Sequence, residues 1–332
     1  MRAAPLPLVQ ALFADLADGR WHSGAALARR HRVTRAAVWK AVEQLRELGL
    51  PLRAAQHRGY ALERSLAPLD AAKIRAALPQ DVGALIERCD IVWTTPSTNA
   101  ELLARPPAAA GRWQLLLAEN QSAGRGRRGR RWQSALGCSL CVSLGLALAE
   151  LPAEISALTL VAGLAVCRAA GEAGATDLQL KWPNDLVRAG AKLGGILTEL
   201  RAEAGGPAWV VVGIGLNLYL TARERARIRR SGVIAGDLAT AGLAVDRNTL
   251  VVAILTQFSR DVAQFLREGF APFAERWRAV DALRDRPVVA HGFDAHVAGI
   301  ARGIDPRGAL LIETPAGMRT VIGGDITLRD SP

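Results

Sequence analysis

Ala118-Glu-Asn-Gln-Ser-Ala-Gly-Arg-Gly-Arg-Arg-Gly-Arg-Arg131 crowds five arginines and three glycines into residues 124–131. So many guanidinium groups repel one another and gain little by packing, while the glycines keep the backbone open. The combination suits a loop that orders around an anion such as phosphate. It is not a P-loop, because GxxxxGK[ST] is missing. Arg-Gly runs also occur in disordered RNA-binding segments. Here a strand-like apolar run over residues 140–148 follows, which embeds the loop in a fold.

Working outward, Leu178-Gln-Leu-Lys-Trp-Pro-Asn-Asp185 alternates as a strand up to Lys181, and Trp182-Pro183 then ends it. Lys181 thus stands at a strand end, where ligand sites of open sheets gather. Asn184 and Asp185 offer oxygens to a hydrated Mg2+ or to a surrounding shell, or simply make a surface turn. Lys192-Leu-Gly-Gly-Ile-Leu-Thr-Glu-Leu200 reads as a glycine bend and a further strand. Val210-Val-Val-Gly-Ile-Gly-Leu-Asn217 is an apolar strand whose glycines admit a ligand or close sheet packing. It lacks the third glycine of a dinucleotide fingerprint. Upstream, Trp93-Thr-Thr-Pro-Ser-Thr-Asn99 precedes the helix-like Ala100-Glu-Leu-Leu-Ala104. Its hydroxyls and amide can bind a small polar ligand, and Ser97 or Thr98 can equally cap the helix.

The first 66 residues have a different character. An amphipathic helix over residues 6–16 is followed by two short helices, one capped by Ser23 and running to Arg30, the other capped by Thr34 and covering residues 35–48. Val38, Val42 and Leu45 form the inner stripe of the last, leaving Arg35, Ala36, Trp39, Lys40 and Glu43 outside. Two capped helices and a tight turn make a helix-turn-helix whose second helix is the recognition helix. Extended stretches at 52–54 and 60–62 flank Gln56-His-Arg-Gly59 as a wing. His57 and Arg58 at its tip can meet phosphate. A winged helix used for protein contacts would look the same. From about residue 281, Pro287-Val-Val-Ala290, His296-Val-Ala-Gly-Ile300, Ala309-Leu-Leu-Ile-Glu313 and Arg319-Thr-Val-Ile322 alternate with Gly, Asp and Pro turns and predict a small β-barrel.

The chain's 332 residues allow two or three domains, and a half-hydrophobic composition with 22% charged residues is that of globular protein, not of a disordered one. The net charge of +11 favours polyanionic or acidic partners, or only reflects arginine on the surface. The local clusters therefore carry the argument. Of the four cysteines, Cys138 and Cys141 make a CxxC pair that no second pair or histidine completes as a zinc set. They read as part of a buried strand. No signal peptide opens the chain and no apolar run reaches membrane-spanning length, so a soluble, cytoplasmic protein without membrane contact is expected.

Taken together and in order, Ser97-Thr-Asn99, Gly124-Arg-Gly-Arg-Arg-Gly-Arg130, Lys181-Trp-Pro-Asn-Asp185, Lys192-Leu-Gly-Gly-Ile196 and Gly213-Ile-Gly-Leu-Asn217 resemble the biotin protein ligase family. Ala301-Arg-Gly-Ile-Asp305 and Gly323-Gly-Asp-Ile326 match as well. The resemblance covers nearly the whole chain and, with the winged helix, points to the bifunctional members that also repress biotin synthesis. It implies a multi-domain α/β (α+β) architecture. The expected parts are a winged helix-turn-helix over 1–66, a mixed-sheet ligase domain similar to class II tRNA synthetases over 67–280, and an SH3-like domain over 281–332. It implies ATP-dependent formation of biotinyl-5'-AMP and transfer of biotin to a lysine of a biotin carboxyl carrier protein. Carried over residue by residue, biotin falls to Ser97, Thr98, Asn99, Gln121, Arg125, Gly126, Arg127 and Lys181, with Lys181 and Arg127 catalytic. The nucleotide falls to Arg130, Lys192 and Asn217, and operator DNA to Arg35, Lys40 and Arg58. Mg2+ is expected with ATP and no metal is expected to be tightly bound. A homodimer is expected when biotinyl-AMP is present. Arg302 is a candidate for ATP or carrier engagement. One departure stands out: residues 218–236, where the family orders a loop over adenine, contain no Trp but an arginine-rich run. Trp39 is unusual for a base-reading position. Three rivals remain open: a ligase without repressor activity, a ligand-sensing regulator without catalysis, and a lipoate ligase.

Overall fold

The computed structural model describes residues 6–202, 207–243, 245–291 and 296–328. Helix α1 (Leu6–Leu16) buries Leu8, Val9, Leu12, Phe13 and Leu16, the 3–4 spacing of one helical face. Helix α2 (Gly24–Arg30) is capped by the Ser23 hydroxyl, which accepts from Ala26 N. Helix α3 (Arg35–Glu47) is capped by Thr34 and turns Val38, Ala41, Val42 and Leu45 inward. Strands β1 (Leu52–Ala55) and β2 (Gly59–Leu62) pair antiparallel as the wing. Each buried Leu or Val contributes roughly 1.5–3 kcal/mol of transfer free energy, so these stripes determine which way the helices face.

The central part continues with α4 (Ala71–Ala77), α5 (Gln80–Leu85), β3 (Ile86–Thr95), α6 (Thr98–Ala104), β4 (Trp113–Gln121), β5 (Ser139–Leu148), α7 (Leu158–Glu172), β6 (Gln179–Lys181), β7 (Asp185–Arg188), β8 (Ala191–Ala202), β9 (Ala208–Asn217), α8 (Ala222–Arg229), α9 (Arg247–Glu268) and α10 (Ala274–Val280). Seven strands form one sheet in the order β3-β4-β5-β9-β8-β7-β6. Only the β3–β4 pair is parallel, so the sheet is mixed. Alternation divides its faces. Leu140, Val142, Leu144, Val210, Val212 and Ile214 join α7 and α9 in the main core. Leu116, Val211 and Trp209 face Leu102 of α6 on the other side. The C-terminal strands β10 (Pro287–His291), β11 (His296–Ile304), β12 (Leu310–Thr314), β13 (Gly317–Val321) and β14 (Asp325–Leu328) make an antiparallel sheet in the order β13-β12-β11-β10-β14.

Several details depart from expectation. The glycine pair Gly194-Gly195 does not bend the chain: β8 runs through it, because Gly194 lies so close to Gly215 O and Leu216 that a Cβ would collide with them. Cys138 precedes β5 and is not in the strand. Residues 218–236 contain α8, capped by Thr221. The C-terminal sheet has a strand more than was read, β14, and no ladder joins its edge strands β13 and β14 among the described residues. An apolar helical span of membrane-crossing length does exist at Ile155–Glu172, with 67% of it buried. It contains α7, whose side chains pack in the main core.

The N-terminal helices and the central sheet share contacts. Leu136 is fully buried in the hydrophobic cluster of α1–α3, and its N–H donates to Leu48 O at 2.9 Å. Phe13 meets Trp93 edge to face at 5.5 Å. The connecting segment is fastened too. Arg247 donates to Ala67 O from Nε and Nη2, Leu69 N donates to Glu119 Oε1 at 2.7 Å, and Arg247 and Glu119 form a buried ion pair.

Candidate active site

A cleft of about 480 Å³ opens on the α6 face of the sheet. The N-terminus of α6 enters it directly from β3. Ser97 caps α6 by accepting from Ala100 N. Thr98 is fixed by Gln121 at the end of β4, whose Oε1 accepts from Thr98 N at 2.8 Å and from its hydroxyl at 3.1 Å. Asn99 is buried over β9: its Nδ2 donates to Leu197 O and Glu199 Oε2, both at 3.0 Å, and Ser143 Oγ stands 2.6 Å from its Oδ1. Asn99 fits only because residue 213 is glycine; a Cβ there would come within 2.1 Å of Asn99 Oδ1. Gly215 makes the same room for the Trp132 ring.

The arginine-glycine loop closes on itself through an antiparallel bridge between Arg125 and Arg131, with a 3-10 turn at Arg127–Gly129 between them. It presents Arg125, Arg127 and Arg130 to the cleft, opposite Lys181 at the end of β6 and Lys192 at the start of β8. Three carboxylates answer some of this charge. Glu199 pairs with Arg125 at 3.1 Å, Asp185 with Lys192 at 2.6 Å, and Asp325 of β14 with Arg130 and with Arg128. Lys181 and Arg127 have no carboxylate at ion-pair distance among the described residues. Arg127 Nη1 is buried without a hydrogen-bond partner. Burial pushes the Lys181 ammonium below the ordinary lysine value, with Asp185 pulling the other way. Burial likewise lowers Arg127, opposed by Asp325. A buried cationic donor without an acceptor costs more than an ordinary lost hydrogen bond, and an anion between Arg127 and Lys181 removes that cost.

Residues 95–217 match the Biotin/lipoate A/B protein ligase family, residues 286–329 the Biotin protein ligase C terminal domain, and residues 15–61 an HTH domain. The chain is 35% identical to the "Bifunctional ligase/repressor BirA" of Salmonella typhimurium over 331 residues, covering 100% of both chains. This chain belongs to the biotin protein ligase family. It is also 34% identical to the "Biotin--[acetyl-CoA-carboxylase] ligase" of Mycobacterium tuberculosis, over 80% of this chain and 97% of that one. The biotin protein ligase from Aquifex aeolicus, solved in complex with biotin and ATP, superposes with a TM-score of 0.61 at 26% identity, over 74% of this chain and 100% of that chain.

Within this biotin protein ligase, the residues carried over from the family motifs fall as follows. Ser97, Thr98, Asn99, Gln121, Arg125, Gly126, Arg127, Arg130, Lys181 and Lys192 all line the cleft. Asn217 does not: it is buried behind the wall, where its Nδ2 donates to Gly236 O at 3.1 Å and so secures the segment after α8. Asn184 is engaged with Ile196, donating to its carbonyl at 2.9 Å. Arg35 and Arg58 are exposed and Lys40 is half-buried on α3. Arg58 stacks over the Trp21 ring at 4.4 Å. Arg302 is held by Asp285 and Glu313, each at 2.6 Å. Glu199, Ser143, Trp132 and Asp325 were not singled out from the sequence. Trp132 adjoins the arginine run directly, and Asp325 lies in the Gly323-Gly-Asp-Ile326 motif, so both were within reach. Glu199 and Ser143 become visible only through strand register. Trp132, from the loop, and Trp182, after β6, supply the cleft's aromatic lining, while Ser231, Gly232 and Val233 supply the side formed after α8.

Proposed function

We propose that this protein activates biotin with ATP, transfers it to a lysine of a biotin carboxyl carrier protein, and represses biotin synthesis through its helix-turn-helix. The observation that carries the ligase reading is the Nη1 of Arg127, buried without a hydrogen-bond partner in the cleft that Lys181 also lines. A carboxylate is a poor electrophile. Its attack on the α-phosphate of ATP forms a mixed anhydride and expels pyrophosphate. Two anions must approach, and Lys181 and Arg127 neutralise the charge that develops. Ser97, Thr98, Asn99 and Gln121 orient the ring system of biotin, with Arg125 and Gly126 closing over it. Arg130 and Lys192 face the nucleotide phosphates, and Asn217 acts indirectly by bracing the wall. The loop excludes water from the anhydride and slows its hydrolysis.

Mg2+ accompanies ATP in this scheme. The cleft does not fit a resident metal: Asp185, Glu199 and Asp325 each pair with a cation, and no cluster of three His, Cys, Asp or Glu stands together among the described residues. The boundaries 1–66, 67–280 and 281–332, the class II synthetase likeness of the central sheet and an SH3-like character for the last unit belong to the same reading, as does a homodimer bearing two winged helices for two half-sites.

The test is biotin- and ATP-dependent label transfer onto a biotin carrier domain, with Lys181→Ala in parallel. Transfer by the wild type, lost in the variant, is expected; a folded wild type that transfers nothing returns the ligand-sensing regulator to first place. Sedimentation with and without biotin plus ATP tests the dimer, which an unchanged monomer excludes.

A further inference from the structure

Of the eight tryptophans only Trp39 stands exposed, at 47%; the other seven are buried or half-buried. Trp39 is absent from the hydrophobic cluster that α1–α3 share. Among the described residues its ring meets no other ring and its Nε1 has no hydrogen-bond partner. A single exposed apolar side chain is ordinary by itself. What distinguishes this one is its place on α3.

A helix turns by about 100° per residue, so Ala36, Trp39 and Glu43 fall along one ridge, away from Val38, Ala41, Val42 and Leu45, which face the core. Arg35 and Lys40 lie to either side of this ridge, and neither has a carboxylate partner among the described residues. Glu43, further along, is held by Arg46 at 2.7 Å. The first half of the ridge is therefore an apolar strip, Ala36 and Trp39, between two free cations. In a helix-turn-helix it is the N-terminal part of the second helix that reaches base edges. The flanking cations suit the two phosphate backbones that border a major groove. Within that groove the apolar feature of a base edge is the C5-methyl group of thymine. An indole carries one N–H donor and no acceptor, so most of what it offers a base edge is apolar surface.

We propose that Trp39 reads the C5-methyl group of a thymine in the major groove of the operator, with the small side chain of Ala36 letting the helix approach and Arg35 and Lys40 holding the phosphates on either side. This rests on the repressor reading above and names part of what the recognition helix recognises. Indole and methyl leave water together where a thymine stands. Opposite a cytosine amino group or a guanine oxygen, the ring displaces water from a polar group and gives no hydrogen bond in return. Trp39 thus discriminates by a penalty as well as by a gain. The cations set register and orientation without reading sequence. Affinity and specificity accordingly reside on different side chains of one short helix.

The experiment uses the full chain in the presence of biotin and ATP. Wild-type protein enriches duplexes from a random-sequence pool, and the preferred duplex is remade with each thymine singly replaced by deoxyuridine, which lacks only the methyl. At a thymine of the selected site, deoxyuridine should weaken wild-type binding about fourfold, the effect of one buried methyl. At that same position it should leave Trp39→Ala unaffected. Alanine is a strong helix former and the position is exposed, so the variant keeps its fold, read by unchanged biotin-dependent pyrophosphate exchange. It should bind the selected duplex about tenfold more weakly or worse. Its affinity for a scrambled duplex and its slope against log salt should stay as in the wild type, because Arg35 and Lys40 remain. Deoxyuridine that costs the variant as much as the wild type, or costs the wild type nothing at any thymine, overturns the proposal. Equal losses on selected and scrambled duplexes overturn it too, because Trp39 then touches only the backbone. A wild type that enriches no sequence overturns the repressor reading itself, and shows this before any variant is made.

Discussion

The cations of the cleft and those of the winged helix are the same side chains in opposite circumstances. In the cleft, Arg125, Arg130 and Lys192 already hold carboxylates, while the partly buried Arg127 and Lys181 do not. On the winged helix, Arg35, Lys40 and Arg58 have no carboxylate partner among the described residues and stand at the surface, exposed at Arg35 and Arg58 and half-buried at Lys40, where an unpaired charge costs less than in the cleft. The first set is built to exchange one anion for another at a fixed place. The second gains by releasing condensed counterions from a polyanion, with little demand on geometry. The net charge of +11 is thus two different kinds of positive charge, and experiments can separate them.

The largest effect is expected at Lys181. Lys181→Ala should slow adenylation about 10²–10³-fold, the cost of one preorganised charge donor, measured by pyrophosphate exchange. A small effect would mean that the carboxylate binds elsewhere in the cleft. Replacing Arg35, Lys40 and Arg58 together by Gln should weaken operator binding and flatten its dependence on log salt by about one unit per lost phosphate contact, in a titration from low to moderate salt. Adenylation should not respond to these changes; if it falls as well, the two sets of cations are not independent. A third difference lies in pH. Because burial lowers the Lys181 value, its charge is lost as pH rises at a point below that of an ordinary lysine, so adenylation should decline there while operator binding does not. Lys181→Arg should remove this alkaline limb from the rate profile, since arginine stays protonated. The smallest effect concerns the thiols. Burial pushes Cys138 up to about 12 and Cys141 and Cys167 up to about 11. At neutral pH these groups remain thiols, and iodoacetamide should leave them unlabelled in the native protein but label them after unfolding.

How far the sequence reached depended on the kind of signal. Capped helices α2 and α3 and the wing could be read because Ser23, Thr34 and the Gln56–Gly59 turn act locally. Strands β5 and β9 announced themselves by apolar runs, and β6 by the alternation that ends at Lys181. Helix α7 did not, because it is buried nearly all round and shows no polar face from which to read a period. The same property gives it the composition of a membrane span. In the site, positions within glycine- and arginine-rich motifs were recognisable because their composition is odd. Asn217 was misplaced relative to the cleft because its amide serves the backbone of Gly236, and nothing in a linear motif says which way an amide points. Glu199 escaped notice for the converse reason: an unremarkable strand glutamate joins Asn99 to Arg125 only once β8 lies beside β9.

Leu136 follows the arginine loop by a few residues, yet its side chain completes the interior of the N-terminal helices. Cutting the chain after the wing would therefore not liberate a tidy enzyme. It would uncover Leu136 and Trp93 and leave a raw apolar scar on the segment that follows Trp132 of the ligand cleft along the chain. Exchanging one winged helix for another by gene fusion meets the same obstacle: the graft would have to bring a socket for Leu136 with it. In this molecule the reader of DNA and the maker of the adenylate are less like beads on a string than two halves of one joint.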